Sequence, residues 1–366
     1  VKLNRLAQLG AVAAVTALAL TGCAANEPNA APADDTGAET PSLSGTLNAT
    51  GASSQDAAQQ AWVAAFQTAN TATTINYQAT GSGVGRDNFL SGGQSYIGSD
   101  RAFNDEEIAE GGFGSCATDA IVEIPVYISP VAIIFNLEGV DTLNLDATTV
   151  GQIFNGDIAN WNDPAIAADN PDATLPDLAI SPVHRSDPSG TSEIFTDYLA
   201  AVAPDAWPHE PSDEWPLSSG EAAQGTSGVV SAVNGGAGTI GYADASQAGG
   251  LGTVAIKVGD EFVPYSSEAA AALVDASPLV EGRGAGDLVF DVDPAAAPAG
   301  SYPIALVSYL IACEEYEDAA AAELVSAYFE FVVSAEGQDV AAEAAGSAPL
   351  SDSLREQINA AIALIG

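Results

Sequence analysis

Three short segments combine small residues with hydroxyls where a helical pattern begins. They are Thr50-Gly51-Ala52-Ser53-Ser54, Thr80-Gly81-Ser82-Gly83-Val84-Gly85 and Asp187-Pro188-Ser189-Gly190-Thr191-Ser192. The first turn of a helix exposes unpaired N–H groups and the positive end of its dipole, and glycine lets the backbone come close to a bound group. Each segment can therefore cradle an anion. Ser, Thr and Gly are also good helix caps and turn formers, so any one of them alone fits a structural role equally well. A fourth segment, Gly98-Ser99-Asp100-Arg101, brings a carboxylate instead. Arginines mark these places: Arg86 follows the second segment, Arg185 precedes the third, and Arg101 adjoins Asp100. Arg185 is the strongest candidate, because a guanidinium fork matches a tetrahedral oxyanion with two parallel hydrogen bonds. Arg86 and Arg101 fit ion-paired surface roles as well.

The charge balance makes that clustering informative. The chain has 8 Lys+Arg against 49 Asp+Glu, a formal net charge of −41. Residues 1–22 hold two of the basic residues and no acid, leaving 6 against 49, or −43, for the remainder. Half of those six basic residues sit at the candidate segments. So acidic a surface excludes nucleic acid and anionic lipid as partners, since both need contiguous positive potential. A small anion would have to be held by donors gathered inside a cleft. No metal or other cofactor is expected: the only histidines, His184 and His209, stand at no ligand spacing from a cysteine.

The elements that must position these segments start well inside the chain. Lys2 and Arg5 precede a nearly uncharged run, Leu6 to Leu20, too short for an ordinary spanning helix and typical of a signal peptide over residues 1–22. It ends in Leu20-Thr21-Gly22-Cys23, which resembles the lipobox of bacterial lipoproteins and implies lipidation at Cys23. Residues 23–44, rich in Ala, Pro, Thr and acids, read as a disordered tether. Cys116 and Cys313 remain, and in an exported protein they are expected to form a disulfide.

Beyond the tether, short β-branched runs alternate with helical stretches, the signature of an α/β protein with parallel strands. Gln55 to Thr68 places Ala58, Trp62 and Phe66 on one helix face. Thr74 to Gln78 and Ser95 to Gly98 read as strands, with a helix from Val84 to Leu90 between them. Ile121 to Asn136 contains two β-rich runs, and Ser301 to Ala312 contains another. A complete α/β pattern lies between, so the chain should cross from a first lobe, 45–130 plus 300–366, to a second, 131–299, and return. Asp318 to Ser334 is a helix with Leu324, Tyr328 and Phe331 on one side. Ser353-Leu354-Arg355-Glu356 fits a capping box opening the last helix.

Taken in order, the motifs resemble the substrate-binding proteins of the high-affinity phosphate ABC importer. Val183-His184-Arg185-Ser186-Asp187-Pro188-Ser189-Gly190-Thr191 is similar to the family's R-x-D-x-S-G-T motif. Ile153 to Ile158, Trp161-Asn162-Asp163, Asn170-Pro171, Leu175-Pro176, Tyr77-Gln78, Gly81-Ser82-Gly83, Gly98-Ser99-Asp100 and Ile240-Gly241-Tyr242 extend the likeness across residues 45–366. The resemblance implies a two-lobed type II periplasmic-binding fold with two crossover strands and phosphate held at the lobe interface. It carries ligand roles to Ser53, Ser54 through its backbone N–H, Ser82, Asp100, Arg185, Ser189, Gly190 and Thr191, with Asp187 holding the Arg185 fork. The first loop departs from the family's usual Gly-Ala-Thr-Phe-Pro, running Gly51-Ala52-Ser53-Ser54-Gln55. A membrane permease is the implied partner, and the protein is expected to be a monomer, tied by its lipid to the outer face of the membrane.

Asp100 then gains a meaning. Phosphate near neutral pH keeps a proton that a carboxylate can accept in a hydrogen bond, whereas sulfate would bury two acceptors face to face. Other oxyanions, including sulfate, molybdate and arsenate, remain the nearest alternative ligands. A secreted serine hydrolase using Gly190-Thr191-Ser192 would need His184 or His209 as its base. His184 adjoins Arg185 on a predicted strand and should face away from it, and His209 lies in a proline-flanked connector.

Overall fold

The computed structural model describes residues 43–366. The signal segment, Cys23 and the tether up to residue 42 lie outside the described residues, while Leu43 already packs against the core. The β-branched runs form β1 (Gly45–Gly51), β2 (Thr73–Gln78), β3 (Tyr96–Ser99), β4 (Ile121–Phe135), β5 (Thr142–Leu145), β6 (Ser181–Arg185), β7 (Glu221–Ala223), β8 (Thr239–Asp244), β9 (Gly252–Val258), β10 (Glu261–Val263) and β11 (Ala305–Cys313). They join in the order β2-β1-β3-β11-β4-β8-β6-β7, with β9 pairing β4, β5 and β10. β1 lies parallel to β2 and β3, and β6 parallel to β7 and β8.

The two β-rich runs expected over 121–136 are one continuous 15-residue strand, buried throughout. Its first part, through Pro130, pairs antiparallel with β11, and from Val131 onward it pairs with β8 and β9. One strand thus serves both halves of the sheet, and β11 returns beside it. Pro125 sits opposite Tyr309, where the ladder shifts register between Ser308 and Tyr309. A missing N–H is tolerated best at such an irregularity.

Helices cover the sheet where apolar spacing asked for them. Helix Asp56–Ala69 buries Ala58, Trp62 and Phe66, and helix Ala319–Val333 buries Leu324 and Tyr328. Phe66 meets Tyr328 edge-on with ring centroids 5.3 Å apart, and Phe331, only partly buried, packs on Phe66 at 5.7 Å. The last helix differs from expectation. It spans Asp352–Ile362 with Ser351 as its cap, accepting from the Leu354 N–H, so Ser353 lies inside the first turn. Starting there buries Leu354, Ile358, Ala361 and Ile362 along one face, and that packing outweighs the local capping pattern. Cys116 and Cys313 are disulfide-bonded, with Cα atoms 5.2 Å apart. No helix among the described residues is long and apolar enough to cross a membrane.

One buried acid links the two halves of the sheet. Asp244, at the end of β8, accepts from the Tyr127 hydroxyl of β4 at 2.9 Å and from the Ser246 N–H at 3.0 Å. Burial pushes its carboxyl up to about 6, against those hydrogen bonds. An unfolded aspartate titrates near about 3.9, so between the two values the folded state holds a proton that the unfolded chain has released. Stability from this group is therefore fully present below the unfolded value and is lost as pH rises through about 6, by up to about 3 kcal/mol. Melting temperature is expected to fall between about pH 4 and about pH 7, and Asp244→Asn should flatten that slope relative to the parent. Equal slopes in thermal melts of the two proteins would contradict the assignment.

Candidate functional site

The hydroxyl-bearing segments follow the carboxyl ends of parallel strands: Gly51 to Ser54 after β1, Thr80 to Ser82 after β2, Ser99-Asp100 at the end of β3, and Asp187 to Thr191 after β6. In open α/β sheets this is where ligand crevices form. The ends of β1 and β3 come together closely. A Cβ on Gly51, whose φ is +143°, would stand 1.9 Å from the Gly98 carbonyl oxygen, so only glycine fits.

The structure brings all eight candidate residues and Asp187 into one buried cluster, each no more than about a tenth exposed. The segments of the two sheet halves meet directly. Gly190 opens helix Gly190–Val202 against Asp100, where an added Cβ would lie 2.7 Å from the Asp100 Cβ. The Gly83 N–H donates to the Pro188 carbonyl at 3.2 Å, and Ser53 Oγ lies 3.0 Å from Thr226 Oγ1. Arg86 Nη2 reaches Asp213 at 2.7 Å, and Arg101 Nε reaches Glu193 at 3.0 Å. These contacts join the two halves of the sheet.

Arg185 is almost wholly buried and makes a fork with Asp187, Nε to Oδ1 at 2.8 Å and Nη2 to Oδ2. Asp187 also accepts from the Gly225 N–H at 3.0 Å. The fork occupies two of the five guanidinium donors and leaves three for an anion. Gly81, with φ at +105°, makes room for it: a Cβ there would lie 2.4 Å from Asp187 Oδ2 and 3.4 Å from Arg185 Nη2.

Asp100 gathers hydroxyls. Its Oδ1 accepts from Ser54 Oγ at 2.5 Å and Ser308 Oγ at 2.6 Å, its Oδ2 from Thr191 Oγ1 at 2.8 Å, and its N–H donates to Ser82 Oγ at 3.1 Å. Ser189 caps its helix, its Oγ accepting from the Ser192 N–H at 3.3 Å. Its neighbours Gly190 and Thr191 supply N–H groups of the first turn, which have no acceptor within the helix. Arg185 and these N–H groups thus gather donors at one place in a strongly acidic molecule, beside the carboxylates of Asp187 and Asp100. A cleft of about 690 Å³ reaches it at Asp100 and Gly190.

Arg86 and Arg101 have other roles. Arg86 is buried between Ser99 Oγ, 3.1 Å from its Nη1, and Asp213. Burial and the nearby Arg101 lower its pKa, while Asp213 opposes them. Arg101 makes a fork with Glu107 at 2.7 and 2.9 Å. Glu193 is pushed upward by burial, against Arg101. Neither histidine hydrogen-bonds Ser192, whose Oγ lies 2.7 Å from the Tyr242 hydroxyl. His184 stacks on Trp215 with centroids 5.0 Å apart, and His209 Nε2 lies 3.0 Å from Asn155 Oδ1.

Three participants went unseen in the sequence. Gly225-Thr226 opens helix Gly225–Gly235 with the same small-residue and hydroxyl design, so its signal was present. Ser308 is the one serine in an apolar strand, turned onto Asp100 beside the register shift of β11. Gln55, read as the start of a helix, is buried and donates through Nε2 to Ser308 Oγ at 2.6 Å.

Known proteins resemble this chain in sequence and fold. A model of the PBP superfamily domain matches residues 36–336. Phosphate-binding protein PstS 3 of Mycobacterium tuberculosis (strain ATCC 25618 / H37Rv) is 33% identical over 371 residues, covering 99% of both chains. The protein of the same name from Mycobacterium leprae (strain TN) is 34% identical over 373 residues, covering 98% of both. Among solved structures, the periplasmic phosphate-binding protein PfluDING, bound with phosphate, matches with a TM-score of 0.70 at 21% identity, over 86% of this chain and 93% of its own. A phosphate-binding protein from Stenotrophomonas maltophilia matches with a TM-score of 0.64 at 22% identity, over 87% and 94%. These structural likenesses carry the fold, a type II periplasmic-binding fold. With the superfamily match and relatives one-third identical over nearly the whole length, the chain belongs to the PBP superfamily and, within it, to the family of the PstS phosphate-binding proteins.

Proposed function

We propose that this protein binds inorganic phosphate between two lobes and delivers it to the permease of an ABC importer. The observation that carries this reading is that one buried cluster holds both Arg185, with donors to spare beyond its Asp187 fork, and Asp100, an acceptor. The guanidinium and the N–H groups at Gly190 and Thr191 attract an oxyanion, Ser53, Ser54 and Ser82 add donors around it, and Asp100 takes a hydrogen bond from its remaining proton. Sulfate has no such proton and would face a buried carboxylate. The lobes are residues 45–130 with 300–366, and residues 131–299, hinged where β4 and β11 cross. The family is one of binding proteins, not enzymes. Cys23 is the proposed site of a lipid anchor at the outer face of the membrane, after removal of residues 1–22, with the tether expected over 23–44 ending before Leu43, which packs against the core; the protein acts as a monomer.

Titration calorimetry on the purified protein tests the reading. Phosphate is expected to bind tightly and to be displaced weakly or not at all by sulfate. No heat with phosphate, together with tight sulfate binding, would overturn it.

A further inference from the structure

A chain of buried hydrogen bonds runs from the aromatic core to Asp100, and one carbonyl sets its direction. Gln55 Nε2 lies 3.0 Å from the Tyr309 carbonyl oxygen, which can only accept. The amide nitrogen must therefore be the atom on that side, and it is also the atom 2.6 Å from Ser308 Oγ. Ser308 receives this bond and has one proton to give, which goes to Asp100 Oδ1 at 2.6 Å. On the other side, Gln55 Oε1 accepts from Gln59 Nε2 at 2.9 Å. Gln59 Oε1 in turn accepts from the Tyr328 hydroxyl at 2.9 Å, with the Tyr96 hydroxyl at 3.4 Å. Gln55, Gln59, Ser308, Tyr96 and Tyr328 are all fully buried, so no water competes for these bonds.

The count at Asp100 gives the relay its purpose. A carboxylate offers about four acceptor positions. Ser54 and Ser308 occupy those of Oδ1, and Thr191 takes one on Oδ2. One acceptor position is left, on the oxygen that Thr191 also touches. Ser54 and Gln55, which end the first hydroxyl-bearing loop, both belong to this network.

We propose that Gln55 and Gln59 are positioning residues for ligand selectivity: acting through Ser308, they fix Asp100 as an acceptor with one place open, suited to a proton-bearing oxygen of the anion. The proposal rests on the phosphate reading above. Were Ser308 free to rotate, its hydroxyl could turn away from Asp100, and the carboxylate would lose both its orientation and its fixed complement of donors.

The test is a double-mutant cycle on the full chain, with inorganic phosphate and sulfate titrated separately by calorimetry. Gln55→Met and Ser308→Ala should each weaken phosphate binding by about 3- to 10-fold, the range of one net hydrogen bond, and narrow the phosphate-to-sulfate ratio by a similar factor. Because Gln55 acts through the Ser308 hydroxyl, the double variant should lose little more than Ser308→Ala alone. A role in stability only would lower the melting temperature and leave the ratio unchanged. Ser308→Ala deletes a single oxygen and keeps the test open should Gln55→Met fail to fold. An unchanged ratio in Ser308→Ala, or fully additive losses in the double variant, would overturn the relay while leaving the phosphate reading intact. Absence of phosphate binding in the parent protein would remove both.

Discussion

Arg185→Ala is expected to weaken phosphate binding by about three orders of magnitude or more, the largest effect of any single substitution in the site. The reason is more than a lost contact. On the proposed reading Arg185 supplies the anion's main positive charge, and it neutralises Asp187, which is buried with the Gly225 N–H as its other donor among the described residues. Truncating one partner of a buried charge pair costs about 3–5 kcal/mol, and here the stranded carboxylate would also repel the incoming anion. Two controls separate these terms. Arg185→Ala combined with Asp187→Ala should recover stability without recovering tight binding. Arg185→Lys keeps the charge but loses the fork, and should fall between the parent and Arg185→Ala. Calorimetry with phosphate, beside thermal melts, distinguishes them. Phosphate affinity in Arg185→Ala within about tenfold of the parent would place the anion's charge partner elsewhere.

How well the sequence foretold this site depended on where each residue's signal lay. Arg185, Asp187 and Thr191 sit within one short motif, so their types and spacing were visible together, and the fold keeps them together at the end of β6. Ser53 and Ser82 follow the ends of β1 and β2, where turn chemistry made them visible locally, whereas Asp100, after β3, is one acid among 49 and stood out only through the family resemblance. Their convergence, however, is a property of strand order. Ser308 could not be picked out, because a serine between valine and tyrosine in a buried strand has no local pattern; only pairing with β4, and the register shift beside it, aims the hydroxyl at Asp100. Gln55 was hidden for a different reason. At the start of a helix a glutamine is expected to face solvent, yet tertiary packing buries it between Gln59 and Ser308.

The same distinction explains the arginines and the helix ends. Arg86 and Arg101 resembled anion ligands because they adjoin the hydroxyl segments, but Arg86 is consumed by Asp213, and Arg101 by nearby Glu107 together with distant Glu193. The pairs with Asp213 and Glu193 tie one half of the sheet to the other, so they bear on closure. The start of the last helix moved from the Ser353 box to Ser351 because the buried face, through Leu354 and Ile358, determines where the helix must begin. The continuous β4 likewise reflects pairing on both sides, which a run interrupted by Pro125 and Pro130 does not announce.

Asp100→Asn is expected to narrow the preference for phosphate over sulfate by about 10- to 100-fold, the equivalent of leaving one buried polar group unsatisfied. Ser308 and Ser54 both direct protons at Oδ1, so the amide oxygen of the variant should take that position and its NH₂ the position of Oδ2. The ligand would then meet a donor where the parent offers an acceptor. Phosphate loses the hydrogen bond from its own proton, while sulfate exchanges an electrostatic conflict for a favourable contact. The sign is the informative part: sulfate affinity should rise as phosphate affinity falls. Competition calorimetry with both anions measures the ratio directly. If both affinities fell together, Asp100 would be a structural member of the site and selectivity would lie elsewhere. An unchanged ratio would exclude it as the discriminator.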